Sequence, residues 1–213
     1  MRMCRYALWW VIAAFSLAPA VAQPLDAPKI SQTINLFDAV VIYPAPSWQR
    51  STDPSKDSEF SRNQSGPSFI LEQIPKGERF EKWSRLYAVA AVRVQGLTLK
   101  DFINQSLTPF YNACGKENFS VLALPQTHEG ITLRVLCQNS PLGPVKFGYG
   151  DGVGEVTLMR FGQVGNTFIK IYQHWRGKSF IATDTATWPV PTAEVDMMMN
   201  RFEAVRFIAK PGG

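Results

Sequence analysis

The sequence has few of the side chains that carry most metal and enzyme chemistry. Among its 213 residues are two histidines, His128 and His174, and three cysteines. Two cysteines, Cys114 and Cys137, without nearby histidines do not make a zinc site. The serine-hydrolase motif Gly-x-Ser-x-Gly is missing, and so is a phosphate-binding loop with a Walker lysine. We therefore expect no metal, no cofactor and no catalytic residue that a motif would identify.

Blocks of like charge and long apolar runs are also missing. The formal net charge is +5, and basic residues are interleaved with acids, as in KGER at 76–79. A nucleic-acid partner requires a concentrated basic stripe, so no such partner is expected. Beyond residue 22, no apolar run approaches the roughly 18 residues of a membrane helix. We accordingly expect no transmembrane segment once the N-terminal leader is removed.

The segment 1–22 has the pattern of a cleavable export signal. Two arginines precede an apolar run at 6–18, and small residues end at Ala22, directly before Gln23. A helix of about 13 residues, rising about 1.5 Å per residue, is too short for a hydrocarbon core of roughly 30 Å, which disfavours a membrane anchor. The sequence predicts cleavage between Ala22 and Gln23 and a periplasmic or extracellular product.

The cysteines that remain after cleavage are Cys114 and Cys137, because Cys4 lies in the leader. Exported proteins fold where thiols are oxidised, so we predict one structural disulfide between these two residues. A redox pair and a metal site are the alternatives. Both are disfavoured because the spacing is not Cys-x-x-Cys and histidines are lacking nearby.

The rest of the chain divides by composition into three parts of one predicted α+β domain. Residues 23–44 are expected to be a tether followed by the first strand. Residues 45–68 are rich in polar side chains and proline, which predicts a mobile loop, since such a segment buries too little apolar surface to offset its ordering entropy. Trp48 and Phe60 make that loop a candidate contact element. Residues 69–213 are expected to complete the domain.

Periodicity and turn signals predict the elements of that domain. A helix is expected to begin at Thr98 and end at Gly115, and Pro109 is expected to kink or split it. A second helix is expected to begin at Thr192, with Arg201 and Arg206 towards its end. The predicted strands are 38–43, 69–74, 85–95, 118–124, 131–137, 153–164 and 167–176.

The last predicted hairpin turns at Gly165-Asn166, a dipeptide suited to a type II′ turn. A two-residue turn there places Glu155 opposite Arg176 and Thr157 opposite His174, and it fixes which side chains share a face. The candidate ligand-binding residues on that face are Glu155, Lys170, Tyr172, His174 and Arg176.

Two interpretations of this patch stay open at the level of sequence. Its charges suit an anionic or polar ligand, or a general base beside a charged partner. Cross-strand ion pairs on a partly exposed sheet explain the same residues without any ligand. The other histidine, His128, is expected to be a solvated turn residue, and the glycine-rich stretch 147–154 a flexible loop or strand bulge.

Hairpins in series, with two helices placed to cover them, favour an α+β fold with a mainly antiparallel sheet. This order, together with the segment EQIPKGE at 72–78 that runs on to Trp83, resembles the PsbP-like α/β/α sandwich group and uncharacterised exported bacterial proteins. Members of that group often act as binding or assembly-accessory modules. The resemblance implies a non-enzymatic module with an unknown protein or small-molecule partner in the envelope.

Two other functions are compatible with the sequence. One is a small exported hydrolase-type enzyme that uses the strand face of His174, Arg176 and Glu155. The other is a structural component of the envelope, which would form stable oligomers and bind no ligand.

Overall fold

The computed structural model describes residues 30–125 and 130–211. The predicted leader, its cleavage site between Ala22 and Gln23, and His128 lie outside the described residues. Besides four one-turn 3₁₀ helices, the described part contains ten strands and two α-helices. These are β1 Ser31–Leu36, β2 Ala39–Pro44, β3 Ser58–Ser65, β4 Ser68–Pro75, β5 Arg85–Arg93, α1 Leu99–Cys114, β6 Phe119–Ala123, β7 Ile131–Cys137, β8 Val153–Val164, β9 Thr167–Lys178, α2 Thr192–Phe202 and β10 Arg206–Ala209.

The strands form two antiparallel sheets. The larger has seven strands in the order β3-β4-β5-β9-β8-β7-β6, and the smaller has three in the order β1-β2-β10. Hairpins join β1 to β2, β3 to β4 to β5, and β6 to β7 to β8 to β9, whereas β9 also pairs with β5, and β10 returns from the far end of the described chain to β2. The architecture is therefore α+β, with a mainly antiparallel sheet and two helices.

The β8–β9 hairpin at the centre of the large sheet has the predicted register. Glu155 lies opposite Arg176, and Thr157 lies opposite His174. Gly165 has φ of 54°, as the first central residue of a type II′ turn requires, and glycine takes this conformation without the strain of a Cβ. The turn therefore fixes which side chains of β8 and β9 face each helix.

Each face of the large sheet carries its own hydrophobic core. On one face, Ile171 and Trp175 of β9 pack with the small sheet and α2. On the other, Phe168 and Tyr172 of the same strand pack with Phe102 of α1. Because side chains alternate along a strand, the two helices cover opposite faces. The central strands are thus buried on both sides, as the low polarity of β5 predicts.

The prediction of a mobile loop at 45–68 is wrong for much of that range. Ser58–Ser65 forms β3, which pairs along its whole length with β4. Before it, Ala45 and Ser47 are buried. Composition misled the prediction because an edge strand satisfies its backbone on one side and exposes most of its side chains, so a polar sequence suits it.

Two expectations about the helices need correction. α1 runs without interruption through Pro109, so of the kink or split expected there the split does not occur, and the kink stays a prediction. Pro109 lies on the exposed side, and buried Phe102 and Ala113 hold both halves of the helix against the protein. α2 ends at Phe202, and Arg206 begins β10, opposite Ile42 of β2. Pairing with a distant strand there overrides the local helical signal.

Candidate functional site

A pocket of about 460 Å³ lies between α1 and the adjacent face of the large sheet. Its floor comes from β4, β5, β8 and β9, and its roof from α1. Two chain segments, around Trp83 and around Tyr149, close one side. The aromatic walls are Phe80, Trp83, Phe110, Phe147, Tyr149 and Tyr172.

Four of the five residues selected from the sequence line this pocket. They are alternate residues of β9, so the strand directs all of them to the face that α1 covers. The four are Lys170, Tyr172, His174 and Arg176. The fifth, Glu155, lies beneath them on β8 with 1% of its side chain exposed. The register of a single hairpin therefore brings the whole predicted set together.

Glu155 binds two neighbouring residues of β9, His174 and Arg176. Its Oε1 accepts a hydrogen bond from Nδ1 of His174 at 2.6 Å, because an ionised carboxylate has no proton to donate. Its Oε2 accepts from Nε and Nη2 of Arg176, each at 3.2 Å. The hydroxyl of Thr157 donates to Oε1 at 3.2 Å. All four of these side chains are thereby fixed under the pocket.

The environment of Glu155 favours its charged form. Burial alone would raise the pKa of this carboxyl. His174 and Arg176 oppose burial through their charges and their hydrogen bonds, and together they lower the pKa below its usual range. Glu155 is therefore an anion whose two oxygens are engaged by His174 and Arg176, and it is not available to a ligand.

The guanidinium of Arg176 contacts two aromatic rings, a backbone carbonyl and the Glu155 carboxylate. Its guanidinium lies 3.5 Å from the ring centre of Trp83 and 4.1 Å from that of Tyr149. Its Nη1 donates to the carbonyl of Phe147 at 2.8 Å. Stacking of guanidinium on aromatic rings is favourable, more so away from water. Arg176 thus fastens both closing segments, 79–84 and 145–149, to the sheet.

His174 has one nitrogen engaged and its ring enclosed by aromatic side chains. The ring stacks on Phe110 of α1 with centroids 5.5 Å apart and an angle of 13°. Tyr172 meets it edge-on at 4.7 Å. Its hydrogen bonds to described residues all use Nδ1. The opposite nitrogen, Nε2, is then the atom that can exchange a proton or a hydrogen bond with a bound molecule.

Lys170 and Glu72 are the other charged residues that line the pocket. Neither side chain makes a hydrogen bond or ion pair with the part of the chain that the structure describes; the ammonium of Lys170 lies 5.2 Å above the Tyr172 ring. Burial lowers the pKa of Lys170 to about 8, against the opposing effect of Glu72. Burial likewise raises the pKa of Glu72. Both charges are thus less well solvated than on an open surface.

Sequence reasoning selected four of the lining residues and missed the other ten. Glu72, Trp83, Phe110 and Tyr149 lie on other elements, and no local pattern places them beside β9. The glycine-rich stretch 147–154, interpreted from sequence as a flexible loop or bulge, contributes Phe147 and Tyr149 to the wall. The sequence did contain a signal for this role. Glycines let the backbone come close to another part of the protein, and the aromatic residues between them can then form a wall.

The predicted disulfide joins the end of α1, the roof of the site, to the large sheet. Cys114, the last residue of α1, bonds to Cys137 of β7, with Cα atoms 5.6 Å apart. Cys137 lies directly opposite Glu155 in the sheet, so both side chains point to the face that α1 covers. The disulfide therefore anchors the helix beside the pocket.

Neither a metal cluster nor a membrane-crossing helix is found in residues 30–125 and 130–211. Those residues contain no group of three or more His, Cys, Asp and Glu side chains suited to a metal ion. Within the same ranges, neither helix has the length and apolar character that a membrane crossing requires.

The fold has distant likenesses among solved structures. The Saccharomyces cerevisiae Ran-binding protein Mog1p matches with 14% sequence identity and a TM-score of 0.45, over 83% of this chain and 94% of that one. A point mutant of Mog1 matches with 13% sequence identity and a TM-score of 0.43, over 83% of this chain and 95% of that one. A structure from Bacteroides thetaiotaomicron VPI-5482 matches with 12% sequence identity and a TM-score of 0.36, over 86% of this chain and 49% of that one. No protein-family model and no curated protein matches the sequence.

Proposed function

We propose that this chain is an exported, non-enzymatic binding module that holds a small organic ligand in the pocket under α1. The observation that carries the proposal is the chemistry of the lining. Six of the fourteen lining residues are aromatic, and Lys170 and Glu72 face the space without a hydrogen bond or ion pair to the described residues. Apolar walls with a few polar groups are typical of small-molecule sites, and about 460 Å³ falls in their usual size range.

The proposed compartment rests on the sequence. A leader of the export type precedes the domain, and a disulfide between Cys114 and Cys137 suits an oxidising compartment. The resemblance to the PsbP-like group is part of the same proposal. It is supported by the segment 72–83, by the element order, and by two helices that cover opposite faces of an antiparallel sheet.

A second candidate function is a hydrolase-type enzyme, and one observation favours it. Glu155 holds Nδ1 of His174, and this leaves Nε2 to act as a general base at the pocket. A screen of small nitrophenyl esters distinguishes the two functions. An enzyme of this kind loses its turnover in His174→Gln and keeps it in His128→Gln, whereas a binding module shows no turnover above buffer in either form.

The binding proposal is tested by filling the pocket. Ser106 is a buried α1 residue of the lining, so Ser106→Phe places a ring where a ligand would lie. The probe is 8-anilinonaphthalene-1-sulfonate, whose fluorescence rises in apolar sites. We expect saturable binding to the wild-type protein and an affinity at least about tenfold lower in Ser106→Phe, because steric exclusion removes the aromatic contacts.

The matched control is Gln105→Phe, which adds the same ring to an exposed position one residue earlier. It should bind the probe as the wild type does. Equal binding by both variants, or no saturable binding by the folded wild type, contradicts the proposal. A stable oligomer without probe binding points instead to the structural envelope component. Protein for these measurements is made with its leader in a bacterial host, and intact mass then shows whether the product begins at Gln23.

A further inference from the structure

Two opposite charges face the same pocket from either side of β5. Glu72 of β4 lies opposite Ala88 of β5, and Lys170 of β9 lies opposite Ala90 of the same strand. Alanine is the only side chain between them at each position, so little volume rises from the floor there. Glu72 and Lys170 both line the pocket.

The buried charge of Glu155 has hydrogen-bond partners, whereas the partly buried Glu72 and Lys170 have none among the described residues. Glu155 receives hydrogen bonds from both His174 and Arg176. Lys170 and Glu72 have no hydrogen bond to any described residue, and no ion pair within 4.0 Å joins them to each other or to another described side chain. A partly buried charge without a partner costs free energy, so such a group in a pocket requires an explanation.

We propose that the pocket binds a zwitterionic small molecule of the α-amino acid class with an apolar or aromatic side chain. This inference rests on the proposed binding function. The ligand's carboxylate pairs with the Lys170 ammonium and its ammonium with the Glu72 carboxylate. Its side chain packs against the aromatic walls, where Phe110 and Tyr172 present ring surface.

Ligands with one charge fit less well. A monoanion would pair with Lys170 and bring a like charge towards Glu72, and a monocation would do the reverse. Arg176 does not alter this balance, because Glu155 and the carbonyl of Phe147 already engage its guanidinium. A zwitterion gives each of these two groups a direct partner and adds no net charge to a poorly solvated space.

Titration calorimetry with three related probes tests the inference. L-phenylalanine carries both charges, 3-phenylpropanoate lacks the ammonium, and 2-phenylethylamine lacks the carboxylate. We expect wild-type protein to bind phenylalanine at least about tenfold more tightly than either truncated compound, since each leaves one charged group unpaired.

Two variants assign the contacts. Lys170→Met should weaken phenylalanine by about tenfold or more and change 2-phenylethylamine by no more than about twofold. Glu72→Gln should weaken phenylalanine similarly and leave 3-phenylpropanoate within about twofold or tighter. Lys100→Met, an exposed site on α1, is the control and should bind as the wild type does. Urea unfolding of each variant shows whether the fold is kept.

The inference is overturned if phenylalanine, leucine and tryptophan all fail to bind folded wild-type protein. It is also overturned if 3-phenylpropanoate binds as tightly as phenylalanine, or if Lys170→Met leaves phenylalanine binding unchanged. Binding of 8-anilinonaphthalene-1-sulfonate shows whether only this inference fails or the proposed binding function fails as well. If the wild type binds this probe and Ser106→Phe does not, the binding function stands and only the zwitterion fails. If neither probe nor amino acid binds, both fail.

Discussion

Glu155 is the residue on which the lower part of the site depends. It has 1% of its side chain exposed, and its two oxygens receive the hydrogen bonds of His174 and Arg176. Removing one partner of a buried charge pair leaves the other charge buried and unpaired, which is more costly than the pair itself. Arg176 in turn holds Trp83 and Tyr149, so the consequence extends to the pocket wall.

We expect Glu155→Gln to lower the free energy of unfolding at pH 7 by about 3–5 kcal/mol. The pKa of Glu155 is lowered in the folded protein, so its contribution is complete above the ordinary carboxyl pKa of about 4.3. The contribution is lost as the pH falls through the folded-state pKa. Urea unfolding between pH 7 and pH 3 should therefore show a steeper loss in the wild type than in Glu155→Gln.

Glu117→Gln, at an exposed position, is the control and should stay within about 0.5 kcal/mol of the wild type at every pH. Equal stability of Glu155→Gln and the wild type at pH 7 would contradict the role assigned to this carboxylate.

At the residue scale, the sequence predicts those members of the site that one hairpin brings together. Once the turn at Gly165 is recognised, a two-residue period places His174 and Arg176 on one face of β9. The register places Glu155 on the same face of β8, directly across from Arg176. Glu72 and Trp83 could not be found in this way. Their position beside β9 depends on the pairing of β5 with β9, whose partners run from Arg93 with Thr167 to Arg85 with Trp175. Local periodicity contains no information on a pairing between residues so far apart in sequence.

The element that closes the pocket is α1, and its two ends are fixed in different ways. Thr98 accepts a hydrogen bond from the amide of Asp101 at 3.1 Å, as the sequence signal at this N-terminus predicts. At the other end Cys114 is bonded to Cys137 of β7. The middle of the helix is held by Phe102, which packs on Phe161 and Phe168.

We expect Cys114→Ala/Cys137→Ala to lower the free energy of unfolding by about 3 kcal/mol, because a closed loop restricts the unfolded chain. The helix end should also loosen, and this should weaken probe binding because Phe110 lies one turn before Cys114. Urea unfolding and fluorescence titration of the same samples measure both effects. Cys4→Ala in the precursor should change neither, since Cys4 belongs to the predicted leader. A loss below about 1 kcal/mol would show that packing alone anchors α1.

Elements whose signals are local were predicted well, and those that depend on a distant partner were not. The β8–β9 hairpin and the start of α1 are examples of the first kind. β3 is of the second kind, because its polar sequence becomes a strand only through pairing with β4. The short strand β10 is another, since it pairs with β2 at the opposite end of the described chain.

At the scale of the molecule, the small sheet joins the beginning and end of the described chain over one face of the large sheet. The backbone amide of Lys210 donates to the carbonyl of Asp38 at 2.9 Å, and its ammonium donates to the carbonyl of Phe37 at 2.6 Å. Composition and element order predict an α+β fold with an antiparallel sheet. They do not predict a separate sheet, because strand order is set by contacts between residues far apart in sequence.

The two sheets meet closely at Gly162 of β8. A Cβ at this position would lie 2.3 Å from ring atoms of Phe207 in β10, well inside contact distance. We expect Gly162→Ala to displace the ring and lower the free energy of unfolding by about 1–3 kcal/mol, the usual range for overpacking. Urea unfolding measures the loss. Hydrogen exchange of β2 amides should show whether β10 separates from its neighbour first, since β10 pairs with β2 along its length.

A double-mutant cycle separates this clash from a general effect of changing the strand. Phe207→Leu makes room for the added methyl group. The loss of unfolding free energy in Gly162→Ala/Phe207→Leu should therefore be smaller than the sum of the two single losses, by about 0.5 kcal/mol or more. Ile208→Ala, a neighbouring residue with 45% of its surface exposed, is the control and should not couple to Gly162→Ala. If the two losses at 162 and 207 simply add, the small sheet is not held at this point. The pairing of β10 with β2 would then be what closes the domain.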